Sequence, residues 1–471
     1  MIIFDDEGAL SAEATSMIER CRVALGTFVS QHKWITATPV LVGSESMAAE
    51  LVELGAERVL AIGCAEGVRH DPLSEEITAK VSSHCLNLSF VGDMMDGIRG
   101  GEGALDELDE ESLTLIDDFD PTGAAIALRT IFSSSDHLAG RRVFGARPPL
   151  WQALEDKTII DDFWDRAGVK RVASLTVRLT MDDLCKAYSQ LNQGSGVVIA
   201  GDSKSGFHGG ASRTRWARST EHLGLILIDL LKECDRARVM PYLEGVSCSM
   251  HGWVFPNGEI VSLRPCEMLV SHSERETYFD YHGAASYWRP NETIHQEMRQ
   301  AVESTAALLH SDYQYRGAFT VDGVATAEGF YPTELNPRFG GALGRMSAAL
   351  PQLPLLTMHY ASVEGHDVGL SPMELRELVI KAAEAKPIVR GMIELEITCQ
   401  EPLSFFYQRE GDLWRECEES EAHIAQAKWG KAIRGSLIFL YLQPESLTPY
   451  QPTIGLVSEL LLTVKRRVLT L

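Results

Sequence analysis

Asp322, Glu334 and Asn336 are the residues in this chain whose types and spacing best fit chemistry. Glu334 and Asn336 alternate in Pro332-Thr-Glu-Leu-Asn336, and residues two apart on a strand share a face. Asp322 closes an earlier apolar run, Phe319-Thr-Val-Asp322, which can pair with that strand and turn its carboxylate toward the other two. Two carboxylates and an amide oxygen form an all-oxygen donor set suited to Mg²⁺, a hard ion that keeps waters and binds substrate phosphates. Arg338, Gly340 and Gly341 follow directly, so a cation stands beside the set. The plainer reading is a polar strand end with Asn336-Pro starting a turn.

A second candidate is the loop Gly201-Asp-Ser-Lys-Ser-Gly-Phe-His-Gly-Gly210. Its four glycines let backbone amides approach an anion, and Lys204 adds a charge. The Gly-Lys-Ser/Thr order of a Walker loop is missing, and alone the segment reads equally well as a hairpin loop. Gly43-Ser-Glu-Ser likewise lacks the Gly-x-Gly-x-x-Gly of a dinucleotide site.

The elements that must position these residues follow from patterning. Length, 471 residues, suggests roughly three domains. Pro39–Gly43, Met47–Leu54 and Ala56–Gly63 read as strand, helix and strand, which is βαβ grammar and implies a parallel sheet. Gly97 to Asp120, rich in glycine and acid, reads as a solvated loop and polar helix face. Pro148 and Pro149 mark a first boundary near residue 150. Beyond it, Leu154–Ala167 and Glu221–Cys234 read as helices, Gly196–Ala200 as a strand, and Val239–Leu243 as an extended stretch. Ser247–Met268 reads as a hairpin around Asn257-Gly258, and Glu292–His310 as an amphipathic helix. From about 390 a strand (Met392–Thr398) and a helix-like run (Leu456–Val464) follow.

Composition narrows the function. Apolar residues are 45% and charged residues 23%, ordinary for a soluble globular protein. A formal net charge of −23 disfavours nucleic acid as a partner, although one basic cleft can still bind a phosphate. No apolar run is long enough to span a membrane, and the first residues do not read as a signal peptide, so a cytoplasmic location is expected. Nine scattered cysteines without Cys-x-x-Cys fit a reducing compartment and argue against zinc fingers.

Taken together, Glu155-Asp-Lys157, Val197-Val-Ile-Ala-Gly201 with its glycine loop, Met240-Pro-Tyr-Leu-Glu-Gly245, and Tyr315-Arg-Gly-Ala-Phe-Thr-Val-Asp322 with Glu334-Leu-Asn-Pro-Arg338 resemble the ATP-grasp superfamily over residues 150–390. Gly206-Phe-His-Gly-Gly-Ala211, Leu243-Glu-Gly-Val-Ser-Cys-Ser-Met-His-Gly252 and Arg264-Pro-Cys-Glu267 look more closely like the pheganomycin-type peptide ligases. The resemblance implies a mixed α/β and α+β chain. A Rossmann-like pre-ATP-grasp domain (1–150) would precede a two-subdomain ATP-grasp core (151–390, lid about 170–240) and a small C-terminal domain (391–471).

It also implies ATP and Mg²⁺ as cofactors, with adenine at Met240, Tyr242 and Leu243. Phosphates would lie at Lys157 and at the glycine loop (Lys204, Gly206, His208, Gly209, Gly210), which would serve as a lid. Mg²⁺ would lie on Asp322, Glu334 and Asn336, and Arg338 beside the transferred phosphoryl group. Arg264, Glu267 and Arg316 are the candidates for contacting substrate.

Two positions depart from the wider superfamily. Ala200 stands where a strand lysine is common, leaving Lys204, Arg213 or Arg215 to replace it. The register of the acidic ribose contact falls on Ser247, with Glu244 nearby. His251 reads as structural, and Trp216 and Trp253 as packing.

The implied reaction is ATP-dependent ligation of a carboxylate to an amine through an acyl phosphate, with small molecules or peptides as substrates and a homodimer compatible with it. A nucleotide binder that no longer catalyses, and an enzyme with a non-amine acceptor, are the competing readings.

Overall fold

The computed structural model describes residues 3–4, 8–67, 72–204, 206–207, 209–272, 277–399, 401–421, 423–444, 447–448 and 450–470. A four-stranded parallel sheet opens the chain, with Trp34–Val40 between Val59–Ala65 and Ile126–Leu128 and with Val81–Cys85 outermost. Its first strand runs earlier than the expected 39–43, and Leu41–Glu53 is already helix. Thr36 and Thr38 disguise the strand: both are buried, their hydroxyls donating to the Ser44 and Val40 carbonyls. Buried polar groups of this kind break an apolar pattern without breaking a strand.

The glycine- and acid-rich stretch is two helices rather than a solvated loop, Met94–Asp106 and Glu110–Phe119. A reciprocal cap between Asp93 and Asp96 starts the first and contributes about 1 kcal/mol. Its glycines permit close packing: a Cβ on Gly101 would stand 2.5 Å from Pro39, and one on Gly100 would stand 2.7 Å from Phe90.

A second, antiparallel sheet orders Leu175–Arg178, Arg236–Pro241, Val197–Gly201 and Thr214–Ala217, backed by helices Met181–Leu191 and His222–Leu230. The helix expected from Leu154 begins only at Ile160. Before it, Asp156 Oδ1 accepts the Thr158 amide (2.8 Å) and hydroxyl (2.7 Å), a local turn that competes with helix. Both Glu155 and Lys157 are buried there.

The third sheet has ten strands. It runs from Gly329–Asn336 through Gly317–Thr326, Val246–Val254, Ile260–His272 and Phe279–Ala285 into Val389–Leu395, then on through Ser436–Leu442, Ala425–Lys431, Leu403–Glu410 and Leu413–Cys417. The helix Glu292–Tyr313 buries Met298, Val302, Ala306 and Leu309 on one face. Helices Leu355–Glu364 and Pro372–Ala385 cover the other. Ile454–Val468 packs on the C-terminal strands. All nine cysteines are free thiols, and among the described residues no helix is long and apolar enough to cross a membrane.

Candidate active site

Strand pairing brings the three oxygen ligands together. Asp322 lies directly across from Glu334, and Thr320 across from Asn336, with a register shift just after Asp322. Ser249, on the neighbouring strand, donates to Asp322 Oδ1 at 2.5 Å, and Asn336 Nδ2 donates to Asp322 Oδ2 at 2.9 Å. Lys157 Nζ is 3.1 Å from Glu334 Oε2. Arg338 donates through Nη2 to Asn336 Oδ1 (2.7 Å) and through Nε to Glu155 Oε1 (3.0 Å).

Electrostatics divides these acids. Burial alone would raise Glu155, but the guanidiniums of Arg338 and Arg147 outweigh it and hold the carboxyl below the usual range. At Asp322, burial and then the Glu334 carboxylate push the carboxyl far above it. Two crowded carboxylates with one raised so strongly are a site short of positive charge. A hard divalent cation would supply that charge beyond what Lys157 and Arg338 give, and the donor set fits one. Among the described residues no group of three or more His, Cys, Asp or Glu side chains could hold a metal ion, so the set depends on the Asn336 amide as its third donor.

The cluster sits at one end of a cleft of about 470 Å³ between the second and third sheets. Lys157, Ala200, Met240, Tyr242, Leu243 and Ser247 all line it, as do Gly209 and Gly210. Tyr242–Gly245 crosses between the sheets, and the Tyr242 amide bonds to the Gly196 carbonyl at 3.0 Å. The Leu243 amide has no partner among the described residues, so a backbone donor is free at the apolar end. Tyr242 stacks on Trp216 with centroids 4.2 Å apart, which accounts for that tryptophan as packing.

No family model matches the sequence, and no curated protein does. Solved structures match over nearly the whole chain. The biotin carboxylase domain of the Hydrogenobacter thermophilus 2-oxoglutarate carboxylase, solved with MgADP and bicarbonate, is 12% identical. It matches with a TM-score of 0.53 over 90% of this chain and 92% of that one. The Aspergillus clavatus N5-carboxyaminoimidazole synthase, solved with ADP and 5-aminoimidazole ribonucleotide, matches with a TM-score of 0.50 at 12% identity, over 91% and 99%. Rhizobium etli pyruvate carboxylase matches at 0.54 and 14%, over 88% of this chain and 36% of its own. The chain has the ATP-grasp fold. A Rossmann-like parallel sheet, a four-stranded antiparallel sheet and a long antiparallel sheet are the architecture that the motif series implied.

Within that fold the structure redistributes several candidates. Lys204 points away from the cleft and pairs with Asp235 at 2.7 Å, 58% exposed. Arg213 pairs with Glu233 and Arg215 with Asp229, so neither replaces the strand lysine. The cation opposite Ala200 is Arg238, its cross-strand partner, which lines the cleft and is held by Asp161 at 2.9 Å. Gly206 does not line the cleft; its carbonyl accepts from Arg213. Glu244 is exposed and reaches only Ser195, at 3.4 Å. His208 lies outside the described residues.

The three substrate candidates are not at the cleft. Glu267 faces the opposite side of its strand and caps the C-terminal helix, accepting the Thr453 amide (2.7 Å) and hydroxyl (2.8 Å) and the Ile454 amide (2.9 Å). Its strand neighbours Met268 and Val270 face the cleft instead. Burial raises the Glu267 carboxyl above its usual range, and the hydrogen bonds from Thr453 and Ile454 oppose that shift. Arg264 is buried 3.8 Å from Glu384, clear of the cleft. Arg316 packs against Gly365, where an added Cβ would stand 2.5 Å from its Nη1.

Some cleft residues escape sequence reasoning. His251, read as structural, lines the cleft floor fully buried, with neither ring nitrogen hydrogen-bonded. Burial holds its imidazole down to about 3, so the ring is neutral. Met94, Met95 and Ile98, on the helix Met94–Asp106, and Phe132, just after the first sheet, complete the wall.

The same segments also hold the glycine loop. Phe132 stacks on Phe207 with centroids 5.3 Å apart, Arg99 Nη1 donates to the Phe207 carbonyl at 2.7 Å, and a Cβ added at Gly209 would stand 3.6 Å from Met95. Arg99→Ala removes a charged hydrogen bond and speeds amide exchange at Phe207 and Gly209–Ser212 by about tenfold or more. Exchange mass spectrometry of the nucleotide-free protein checks this; unchanged exchange means that the loop is held by other contacts.

Proposed function

We propose that the protein is an ATP-dependent carboxylate–amine ligase that forms an amide or peptide bond through an acyl phosphate. The observation that carries the reading is the pairing of Asp322, Glu334 and Asn336 with Lys157 and Arg338 at one end of a cleft whose other end is apolar. Magnesium would be held by Asp322, Glu334 and Asn336, and would supply charge neutralisation at the phosphates of ATP.

A carboxylate resists amines because its charge repels them and oxide leaves poorly. In the first step a carboxylate oxygen attacks the γ-phosphorus of ATP, and ADP departs with the bridging oxygen. In the second the amine attacks the acyl carbon, loses a proton, and phosphate departs with one oxygen of the original carboxylate. Little covalent work falls to the protein, whose task is positioning and charge.

Lys157 and Arg238 bring cations to the phosphate path, and Arg338 supplies a fixed guanidinium where charge develops. Phe207 and the following glycines, clasped by Arg99 and Phe132, exclude water from an acyl phosphate that would otherwise hydrolyse. The narrower reading, a peptide ligase of specialised metabolism, draws support from Leu243-Glu-Gly-Val-Ser-Cys-Ser-Met-His-Gly252 and Arg264-Pro-Cys-Glu267. The test is ADP release across a panel of amino acids and short peptides, with mass spectrometry of products. A condensed product formed with ADP supports the ligase; nucleotide binding without turnover on any pair counts against it.

A further inference from the structure

Arg345 lies one helical turn beyond Gly341 and Ala342, both of which line the cleft. Arg390 is the cross-strand partner of Ala284, another cleft residue. Tyr281 borders both the cleft and a neighbouring chamber of about 670 Å³. Met392 and Glu394 stand in the wall of that chamber and continue the strand face that carries Arg390. The Arg390 guanidinium lies 4.4 Å from the Tyr441 ring, and Lys428 Nζ lies 5.6 Å from the same ring. Arg390 therefore stands on its strand face between the cleft residue Ala284 and the chamber wall at Met392, although neither guanidinium is itself a lining residue of either chamber.

Among the described residues no salt bridge answers them. Other buried arginines have acids: Arg129 has Glu102, Arg147 has Glu155, and Arg238 has Asp161. Neither Arg345 nor Arg390 pairs with a carboxylate among the described residues, and both Nε atoms are buried without a hydrogen-bond partner. Burial, then the like charge of Arg390, hold the Arg345 guanidinium below its usual range. The other groups acting on it are the hydroxyls of Tyr281 and Tyr441. In a chain with 66 acids to 43 bases, two partly buried guanidiniums without an acid carry positive charge that an outside oxyanion would neutralise.

We propose that Arg345 and Arg390, flanked by Tyr281 and Tyr441, bind an anionic group of a substrate, a carboxylate or a phosphate, distinct from the carboxylate that is activated. The planar guanidiniums suit either oxyanion through paired hydrogen bonds. Tyr281 feels the charges of Asp322 and Arg338 as well as that of Arg345, so the anion site adjoins the reacting end of the cleft. Only the statement that the anion belongs to a substrate rests on the ligase reading.

The experiment needs no turnover. Inorganic phosphate and glutarate are titrated separately by calorimetry into the full chain, first without nucleotide for every variant and then, for the wild type, with saturating MgADP. The wild type, Arg345→Gln, Arg390→Gln, Arg345→Lys and Asp322→Asn are compared. One or both anions bind the wild type and Asp322→Asn alike, and bind each glutamine variant about tenfold or more weakly, while Arg345→Lys keeps part of the affinity. The better-bound probe tells phosphate from carboxylate. Binding of neither anion, equal binding by wild type and glutamine variants with unchanged melting temperatures, or an anion expelled by MgADP would overturn the proposal. Loss of ligase activity on every substrate, with this binding intact, would count against the ligase reading alone.

Discussion

Asp322→Asn lowers ligation by about 10³-fold or more, yet raises the melting temperature of the nucleotide-free protein by about 1 °C. The two effects share one cause. Burial and the facing Glu334 raise the Asp322 carboxyl, so ionising it near neutral pH opposes folding. The sign follows: an acid whose folded pKa is raised loses stability as pH climbs past its unfolded value, so removing the charge restores that loss. About 1 kcal/mol is the scale for relieving one such contact. The same charge is what a cation needs, and the amide that replaces it is a weaker ligand. Calorimetric melting and a coupled ADP assay at saturating Mg²⁺ check both arms. Near-normal turnover, or a lower melting temperature, contradicts the assignment.

Arg338→Met lowers kcat by about 10²–10³-fold with a smaller change in KM for ATP, because its charge matters most where charge develops. It also destabilises, since among the described residues the buried Glu155 keeps only Arg147 as a salt-bridge partner, with Lys157 acting from farther away. Removing one hydrogen bond to a buried charge costs about 1.5–3 kcal/mol. Arg338→Lys separates the two losses, restoring most of the melting temperature while losing the two-point grip on Asn336 and Glu155. Steady-state kinetics with melting curves decides; a methionine variant with unaltered kcat places Arg338 outside the chemistry.

How far this site is legible in the sequence depends on the physical range of each signal. The Glu334–Asn336 pair is legible because strand alternation is local and strict. Asp322 joins it by one further assumption, that two neighbouring apolar runs pair, and they do. The order of the motifs carried the fold. What failed depends on longer geometry. Arg238 meets Ala200 only through the pairing of strands 197–201 and 236–241, which no short window contains. Glu267 failed by parity, one position out of phase with Met268. Phe132 and Arg99 reach the glycine loop from far earlier in the chain. The strands within 403–442 went unread although Phe405/Tyr407, Ala425/Ala427 and Ile438/Leu440 alternate inward, because small alanines and intervening charges dilute the pattern.

The central claim is that a carboxylate is activated by phosphoryl transfer within this cleft. It is tested most directly by following oxygen from an ¹⁸O-labelled carboxylate donor through a single turnover with its amine partner. One labelled oxygen appearing in inorganic phosphate, with ADP as the nucleotide product, is the expected result. Label appearing in AMP, with pyrophosphate released, or unlabelled phosphate accompanying a condensed product would contradict it.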